Sequence, residues 1–251
     1  MNTRKHLLLA ICMLGAAEVG AQTLSATEIV KRADENSRGT SVYSEMKMTI
    51  VRPTWTREIG IKSWGKGREY SLALITSPAR EKGQAFLKRG KDLWSWQPSI
   101  SRMVKMSSSM MGQSWMGSDF TNDDLIKESS MVNDYTHHLE KTEKIREVDC
   151  YKVVYTPKEK AAVVWGKVVA WISTADFVEM KMEFYDEDNK LVNSLSSYDI
   201  KTYGSRRLAA RVEMQPADKP NQKTIMLFEK YDFDTAIEES FFSQQNMQKV
   251  K

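Results

Sequence analysis

The chain has 251 residues and a formal net charge of +4, from 37 lysines and arginines against 33 aspartates and glutamates. Charged residues make up 28% and hydrophobic ones 41%, a balance that excludes a disordered tail and a polytopic membrane protein. The small positive surplus comes without a dense basic block, so no nucleic-acid partner is expected. The oddity is 15 methionines and 7 tryptophans, a large amount of soft apolar surface.

In chain order, residues 1–21 read as a secretory signal peptide. Arg4, Lys5 and His6 open it, Leu7 to Ala17 form an apolar run, and Val19-Gly20-Ala21 puts small residues at the cleavage position. The run is shorter than the roughly twenty apolar residues of a transmembrane helix. A lipoprotein signal at Leu9-Ala10-Ile11-Cys12 is disfavoured, because Ile11 is bulky where that motif needs Gly or Ala. Residues 22–251 are expected to form a single domain exported to the periplasm. Cys12 leaves with the signal and Cys150 stays as the one thiol, so a core rather than a disulfide must hold the fold.

Ser25 and Glu28 form a capping-box pattern that predicts a helix with Ile29, Val30 and Ala33 on one face and Gly39 as its stop. Two-residue alternation then takes over. Met46, Met48 and Ile50 alternate with Glu45, Lys47 and Thr49; Tyr70, Leu72 and Leu74 repeat the pattern. So do Met180, Met182 and Phe184, and Leu208, Ala210, Val212 and Met214. Turn signals stand at Gly65-Lys66-Gly67, Arg89-Gly90-Lys91-Asp92, Asp186-Glu187-Asp188-Asn189, Tyr203-Gly204-Ser205 and residues 217–221. About eleven to thirteen strands fit this punctuation. With few helices to cover so wide a dry face, the antiparallel sheet is expected to curl into a barrel or half-open barrel.

Two stretches break the alternation: Met103 to Met116, rich in methionine and serine, and Thr121 to Ile126, which reads as a short helix capped by Thr121. A terminal helix or turn is expected from Glu238 through Phe241 and Phe242.

Catalytic signals are weak. His137 and His138 are adjacent in a predicted strand and point to opposite faces, so they do not share a metal. Gly112-Gln113-Ser114-Trp115-Met116 starts like a nucleophile elbow but has Met116 where the second glycine belongs. Asp119, Asp123, Asp124 and Glu128 lack calcium-loop spacing and read as helix-start charges on a solvated face. Gly65-Lys66-Gly67-Arg68 reads as a hairpin turn, and Cys150 as an inert core thiol. No catalytic residue, metal or cofactor is expected, and the chain is not expected to be an enzyme.

The apolar residues are the better lead, because methionine adapts to ligands of varied shape. Trp94 and Trp96 sit two apart on one strand face. The Met103–Met116 stretch, turn-rich and flexible, suits a lid over an apolar cavity. The candidate ligand-binding residues are Met46, Met48, Trp94, Trp96, Met103, Met106, Met110, Met111, Trp115, Met116, Phe120, Met180, Met182 and Phe184.

Met116-Gly117-Ser118-Asp119-Phe120-Thr121-Asn122-Asp123-Asp124-Leu125 resembles the M-G-S-D-F-x-x-x-D-L signature of outer-membrane lipoprotein-sorting proteins, relatives of the periplasmic lipoprotein carrier LolA. The early helix, the Leu93-Trp94-Ser95-Trp96-Gln97-Pro98 strand before a Ser/Met loop, and Phe233 with Phe241-Phe242 agree with it. The resemblance implies a strongly curved, half-open antiparallel β-barrel with helices or loops lidding a cavity for acyl chains of a lipoprotein or lipid. It also implies traffic toward the outer membrane, with an inner-membrane transporter of the resistance-nodulation-division type and an outer-membrane acceptor as partners. The alternative is an accessory subunit of such a transporter that carries nothing. Arg206, Arg207 and Arg211 suit either docking or a solvated strand face. A buried methylene contributes roughly 0.8 kcal/mol, so a chain of about fifteen carbons resists extraction into water by roughly 12 kcal/mol. A carrier must offer comparable apolar surface.

Overall fold

The structure, a computed structural model, describes residues 24–124 and 130–251. The expected signal peptide lies outside the described residues, as do Leu125 and Ile126 of the expected short helix and Glu128 of the acidic cluster. Helix α1 (Ala26–Arg38) starts as its cap predicts, with Ser25 Oγ accepting from the Glu28 N–H at 3.2 Å. Glu28 does not complete the capping box; its carboxylate accepts instead from Arg32 Nε at 2.9 Å, one turn on. Gly39 ends the helix at φ +60°, where an added Cβ would also lie 2.7 Å from Asp234 Oδ1. Ile29, Val30 and Ala33 are buried.

Thirteen strands follow: β1 (Ser41–Arg52), β2 (Trp55–Lys66), β3 (Tyr70–Ser77), β4 (Ala85–Arg89), β5 (Asp92–Gln97), β6 (Arg102–Lys105), β7 (Tyr135–Ile145), β8 (Val148–Pro157), β9 (Lys167–Ser173), β10 (Glu179–Tyr185), β11 (Leu191–Tyr203), β12 (Arg206–Pro216) and β13 (Lys223–Phe233). They form one antiparallel sheet in the order β6-β5-β4-β3-β2-β1-β13-β12-β11-β10-β9-β8-β7. Hairpins run outward on both sides from the central pairing of β1 with β13. The curved sheet stays open, with β6 and β7 as its edges. All five expected turn signals mark junctions between consecutive strands, although Gly65 and Lys66 still pair in β2 and the turn itself is 67–69.

Alternation sorts side chains onto two faces. The inner face carries α1 and holds one large cluster: Met48 and Ile50 of β1, Ile59 and Ile61 of β2, Val153 and Tyr155 of β8, Val168, Ala170 and Ile172 of β9, Met182 and Phe184 of β10, Met214 of β12 and Met226 of β13. The outer face has two smaller clusters. Leu72, Leu74 and Leu87 lie beneath Phe242 and Met247, the latter on the short helix α2 (Gln244–Met247). Cys150, Val169, Trp171, Val178 and Met180 form the other.

Cys150 is fully buried and free, and burial pushes its thiol up to about 11. A thiol reagent at neutral pH is therefore expected to label it only after unfolding, with kinetics that track loss of structure. Rapid labelling of the native protein would contradict that packing.

Candidate functional site

The inner face is roofed by irregular chain rather than by helices alone. After β6 the backbone leaves the sheet at Met106 and makes a single 3-10 turn at Ser108–Met110. It then folds into a tight hairpin in which Ser114 pairs with Thr121 and the Trp115 N–H donates to the Phe120 carbonyl at 2.8 Å. Apolar side chains hang from this segment onto the sheet. Met111, Trp115 and Phe120 are buried, and Met106, Met110 and Met116 are half-buried against the same cluster. Trp115 meets Phe86 with ring centroids 5.3 Å apart.

The segment's polar ties converge on Asp119. Arg52 at the end of β1 makes a forked pair with it, 3.0 Å to each carboxylate oxygen, with both side chains largely buried. Thr224 of β13 donates its hydroxyl to Asp119 Oδ2 at 2.7 Å and accepts the Asp119 N–H at 2.9 Å. Arg52 also donates to the Gly117 carbonyl at 2.9 Å, Arg57 to that of Met116 at 3.3 Å, and Asn193 to that of Asp119 at 3.3 Å. Gly117 has φ +79° with nothing near its missing Cβ, so the motif needs glycine for the left-handed turn and not for space. The Met-Gly-Ser-Asp-Phe run is thus a clamp: a turn, a charged pin and an aromatic plug.

Beyond the hairpin, Asp124 Oδ2 accepts the Thr121 N–H at 2.8 Å while Thr121 Oγ1 accepts the Asp124 N–H at 3.1 Å. Asp124 Oδ1 accepts from Trp165 Nε1 at 3.1 Å, and Trp165 in turn packs on Phe184. The expectation that Asp119, Asp123 and Asp124 sit on a solvated face is overturned. Asp119 is clamped by Arg52 and Thr224, Asp123 is 1% exposed, and Asp124 is held under the segment.

Burial holds the Asp124 carboxyl above the usual range, against hydrogen bonds from Thr121 and Trp165 that pull it down. A carboxyl with a raised folded-state pKa opposes folding once it ionises. The cost is absent below its unfolded pKa near about 4 and grows as pH climbs toward the folded value. Asp124→Asn should therefore gain stability relative to the wild type as pH rises from about 4 to about 7. Urea melts at several pH values measure this, and a difference moving the other way would refute it.

The other chemical candidates have structural partners. Ser114 donates its hydroxyl to the Ser118 carbonyl. His137 Nδ1 lies 3.1 Å from Thr27 Oγ1 and Nε2 lies 2.7 Å from the Met131 carbonyl, while His138 is exposed on the opposite side.

The sequence-predicted binding residues divide between the faces. Met48, Met111, Trp115, Phe120, Met182 and Phe184 share the inner cluster, with Met46, Met106, Met110 and Met116 against it. Trp94, Trp96 and Met103 lie on the outer face, packed with the cluster under Phe242. Leu93 is the β5 residue that turns inward, so the two tryptophans must turn outward. Met103 is in β6, paired with Trp96, and not in a loop. Met180 is also outward, beside Trp171, because the register slips between Glu179 and Lys181 and reverses the alternation there. Sequence reasoning missed Trp165, Tyr155, Met226 and the Arg52–Thr224 clamp. For Trp165 a signal was available in Gly166, whose Cβ would lie 2.5 Å from the Asp186 carbonyl oxygen and which therefore fixes the tryptophan's approach.

Open space on the inner side is modest. A cleft of about 510 Å³ lies between the segment and β4–β5, lined by Arg57, Glu81, Phe86, Met106, Met110, Trp115 and Met116. Two cavities of about 240 and 200 Å³ lie beside α1. Near the first, Asp34 pairs with Arg38 at 3.0 Å and with Arg68. Ligand pockets typically span about 300–1,000 Å³, and of these three spaces the cleft alone reaches that range as the segment stands. Trp115 Nε1 and the Tyr155 hydroxyl are buried without a hydrogen-bond partner among the described residues.

A family model described as “Uncharacterized protein” matches residues 67–249. No functionally curated protein matches the sequence. Three solved structures share the fold. A DUF1329 family protein from Desulfovibrio piger superposes with a TM-score of 0.81 at 23% identity, covering 89% of this chain and 98% of its own. An outer membrane lipoprotein-sorting protein domain from Vibrio parahaemolyticus gives 0.80 at 22%, covering 89% and 98%. A LolA superfamily protein from Nitrosomonas europaea gives 0.77 at 24%, covering 89% and 99%. The chain belongs to the family whose model spans residues 67–249, and its fold is the LolA-like open barrel of these structures.

Proposed function

We propose that this protein is a periplasmic carrier that shelters acyl chains of a lipoprotein or lipid on the inner face of its sheet, beneath the 106–124 segment, for transfer toward the outer membrane. One observation carries the reading: a wide apolar face is covered by irregular chain with methionine-rich contacts, and the polar ties of its Met116–Asp119 turn gather at a single clamp. Methionines repack at low cost, and with the described polar fastenings gathered around the Asp119 clamp and at the Asp124–Trp165 hydrogen bond, the stretch before them swings without unravelling the sheet. The cavities beside α1 are small, so cargo displaces the segment instead of filling a ready-made hole. Each cargo methylene buried on the face contributes roughly 0.8 kcal/mol, which offsets the apolar burial given up when the segment swings away. The unpartnered hydroxyl of Tyr155, on the sheet itself, is a group that an ester carbonyl of such cargo would satisfy.

The fold shared with the Vibrio and Nitrosomonas proteins supports this reading, as does the signal-like start of the sequence. In this scheme a resistance-nodulation-division type transporter delivers cargo and an outer-membrane acceptor receives it; the chain itself performs no chemistry. Native mass spectrometry of protein taken from its own periplasm, followed by lipid extraction, should reveal a bound acyl species. If the protein comes out empty and, once delipidated, takes up no fluorescent fatty-acid analogue, the reading is abandoned.

A further inference from the structure

Another cleft lies on the other side of the sheet. It measures about 660 Å³ and lies on the outer face over β13, β1, β2 and β3, bordered by Val250. On its floor Gly60 sits in the middle of β2, between the outward-facing Glu58 and Lys62, and the hydroxyls of Thr76 and Ser77 occupy the place of its side chain. Opposite Gly60 the register breaks and Thr76 becomes the extra residue of β3. The Gly60 N–H donates to Ser77 Oγ at 3.0 Å, and a Cβ there would lie 2.6 Å from both the Thr76 and Ser77 hydroxyl oxygens. A glycine inside a strand marks a place where something approaches the backbone closely.

Three lysines of the sheet and its turns surround this floor, Lys47 on β1, Lys62 on β2 and Lys82 in the β3–β4 turn, and Lys251 lines the cleft beside Val250. Several other strand lysines of the sheet are paired. Lys105 meets Asp92 at 2.7 Å, Lys152 meets Glu140 at 2.7 Å, Lys181 meets Glu183 at 2.6 Å and Lys230 meets Asp232 at 2.9 Å. Among the described residues none of Lys47, Lys62 and Lys82 has an acid within ion-pair distance. Glu45 stands opposite Lys62 in register, yet its carboxylate accepts from the Tyr43 hydroxyl at 2.7 Å. Glu229 is the other acid on the rim. Leu74 and Val250 supply an aliphatic wall beside the cations.

We propose that this cleft is a second binding site, for an anionic amphiphile. A phosphate or carboxylate head sits among Lys47, Lys62 and Lys82, with the first methylenes of its tail along Leu74 and Val250. Unpaired cations, hydroxyls and an apolar wall in a cleft of ligand size match that chemistry, and the sheet separates it from the inner face. The site does not depend on the carrier reading.

The test is titration of the full chain with dodecyl phosphate below its micelle concentration, read by calorimetry and by amide chemical shifts, with dodecyl maltoside as the neutral-headed control. Dodecyl phosphate should bind with shifts at Gly60, Leu74, Thr76 and Ser77, and the maltoside should not produce them. Lys47→Glu/Lys62→Glu should weaken binding by about tenfold or more. Lys82→Glu, on an exposed turn, should weaken it in the same direction without touching a strand. Vesicles of phosphatidylglycerol, against phosphatidylcholine, separate a membrane headgroup from a free ligand: lysine-dependent vesicle binding that dodecyl phosphate displaces assigns the former, and its absence the latter. Equal binding of the maltoside, wild-type affinity in the charge-reversal variants, or shifts confined to inner-face residues such as Met48 and Phe184 would overturn the proposal. Shifts confined to the cleft would sustain it even with the inner face empty.

Discussion

Asp119→Ala, and separately Arg52→Ala, should each destabilise the protein by about 3–5 kcal/mol, the cost of leaving one member of a buried ion pair without its partner. For a chain of this size that is a fall in Tm of about 10 °C. Asp119→Ala removes the acceptor of two guanidinium bonds and of the Thr224 hydroxyl at once, and Arg52→Ala removes those two bonds together with the donor to the Gly117 carbonyl. Because each single change strands a charge, the double variant should be less destabilised than the sum of the two, and a double-mutant cycle measures the difference. The damage should also be local: limited proteolysis should cut the 106–118 stretch well before the sheet. Single variants within about 1 kcal/mol of the wild type would mean that the apolar plug, Trp115 and Phe120, holds the segment unaided.

That clamp also marks where sequence reading stops. Helix α1, the antiparallel sheet and its turns were legible because each depends on neighbours along the chain: Ser25 caps within three residues, and alternation needs only two. The inner faces of β1 and β12 followed, since nothing interrupts the period between Met46 and Ile50 or between Val212 and Met214. Met180 was misplaced by one residue of slippage opposite β9, an event set by pairing between strands and not written in either strand's composition. Trp94 and Trp96 share a face as expected. Which face it is depends on Leu93 and on the terminal Phe242, which covers the outer side. Asp119, Asp123 and Asp124 read as wet charges for a sound local reason, since acidic residues belong in a helix's first turn. What buries Asp119 is Arg52, 67 residues earlier, and Thr224, 105 residues later. The ten-residue motif was visible as a pattern, but its meaning as a fastening appears only when both ends of the sheet close around it.

The carrier reading makes a further demand that concerns sign rather than size. If the 106–124 segment and the cargo compete for the same apolar face, weakening the segment must strengthen cargo binding. Trp115→Ala should therefore lower the Tm of the empty protein, since truncating a buried aromatic costs about 3–5 kcal/mol, and at the same time bind a fluorescent fatty acid more tightly. The apparent dissociation constant is the intrinsic one divided by the fraction of molecules with the face uncovered. Each 1.4 kcal/mol taken from the closed state is thus worth about tenfold until the open state predominates. A change on the sheet itself should act oppositely. Met182→Thr keeps a strand-compatible shape but removes apolar surface and adds a hydroxyl, so it should lower both stability and affinity. Equilibrium binding of one probe to both variants, with Tm measured alongside, separates the two effects. If Trp115→Ala is less stable yet binds no better than the wild type, the segment and the cargo do not compete. The inner face would then be an ordinary core with a permanent cover, and any cargo would have to bind elsewhere on the molecule.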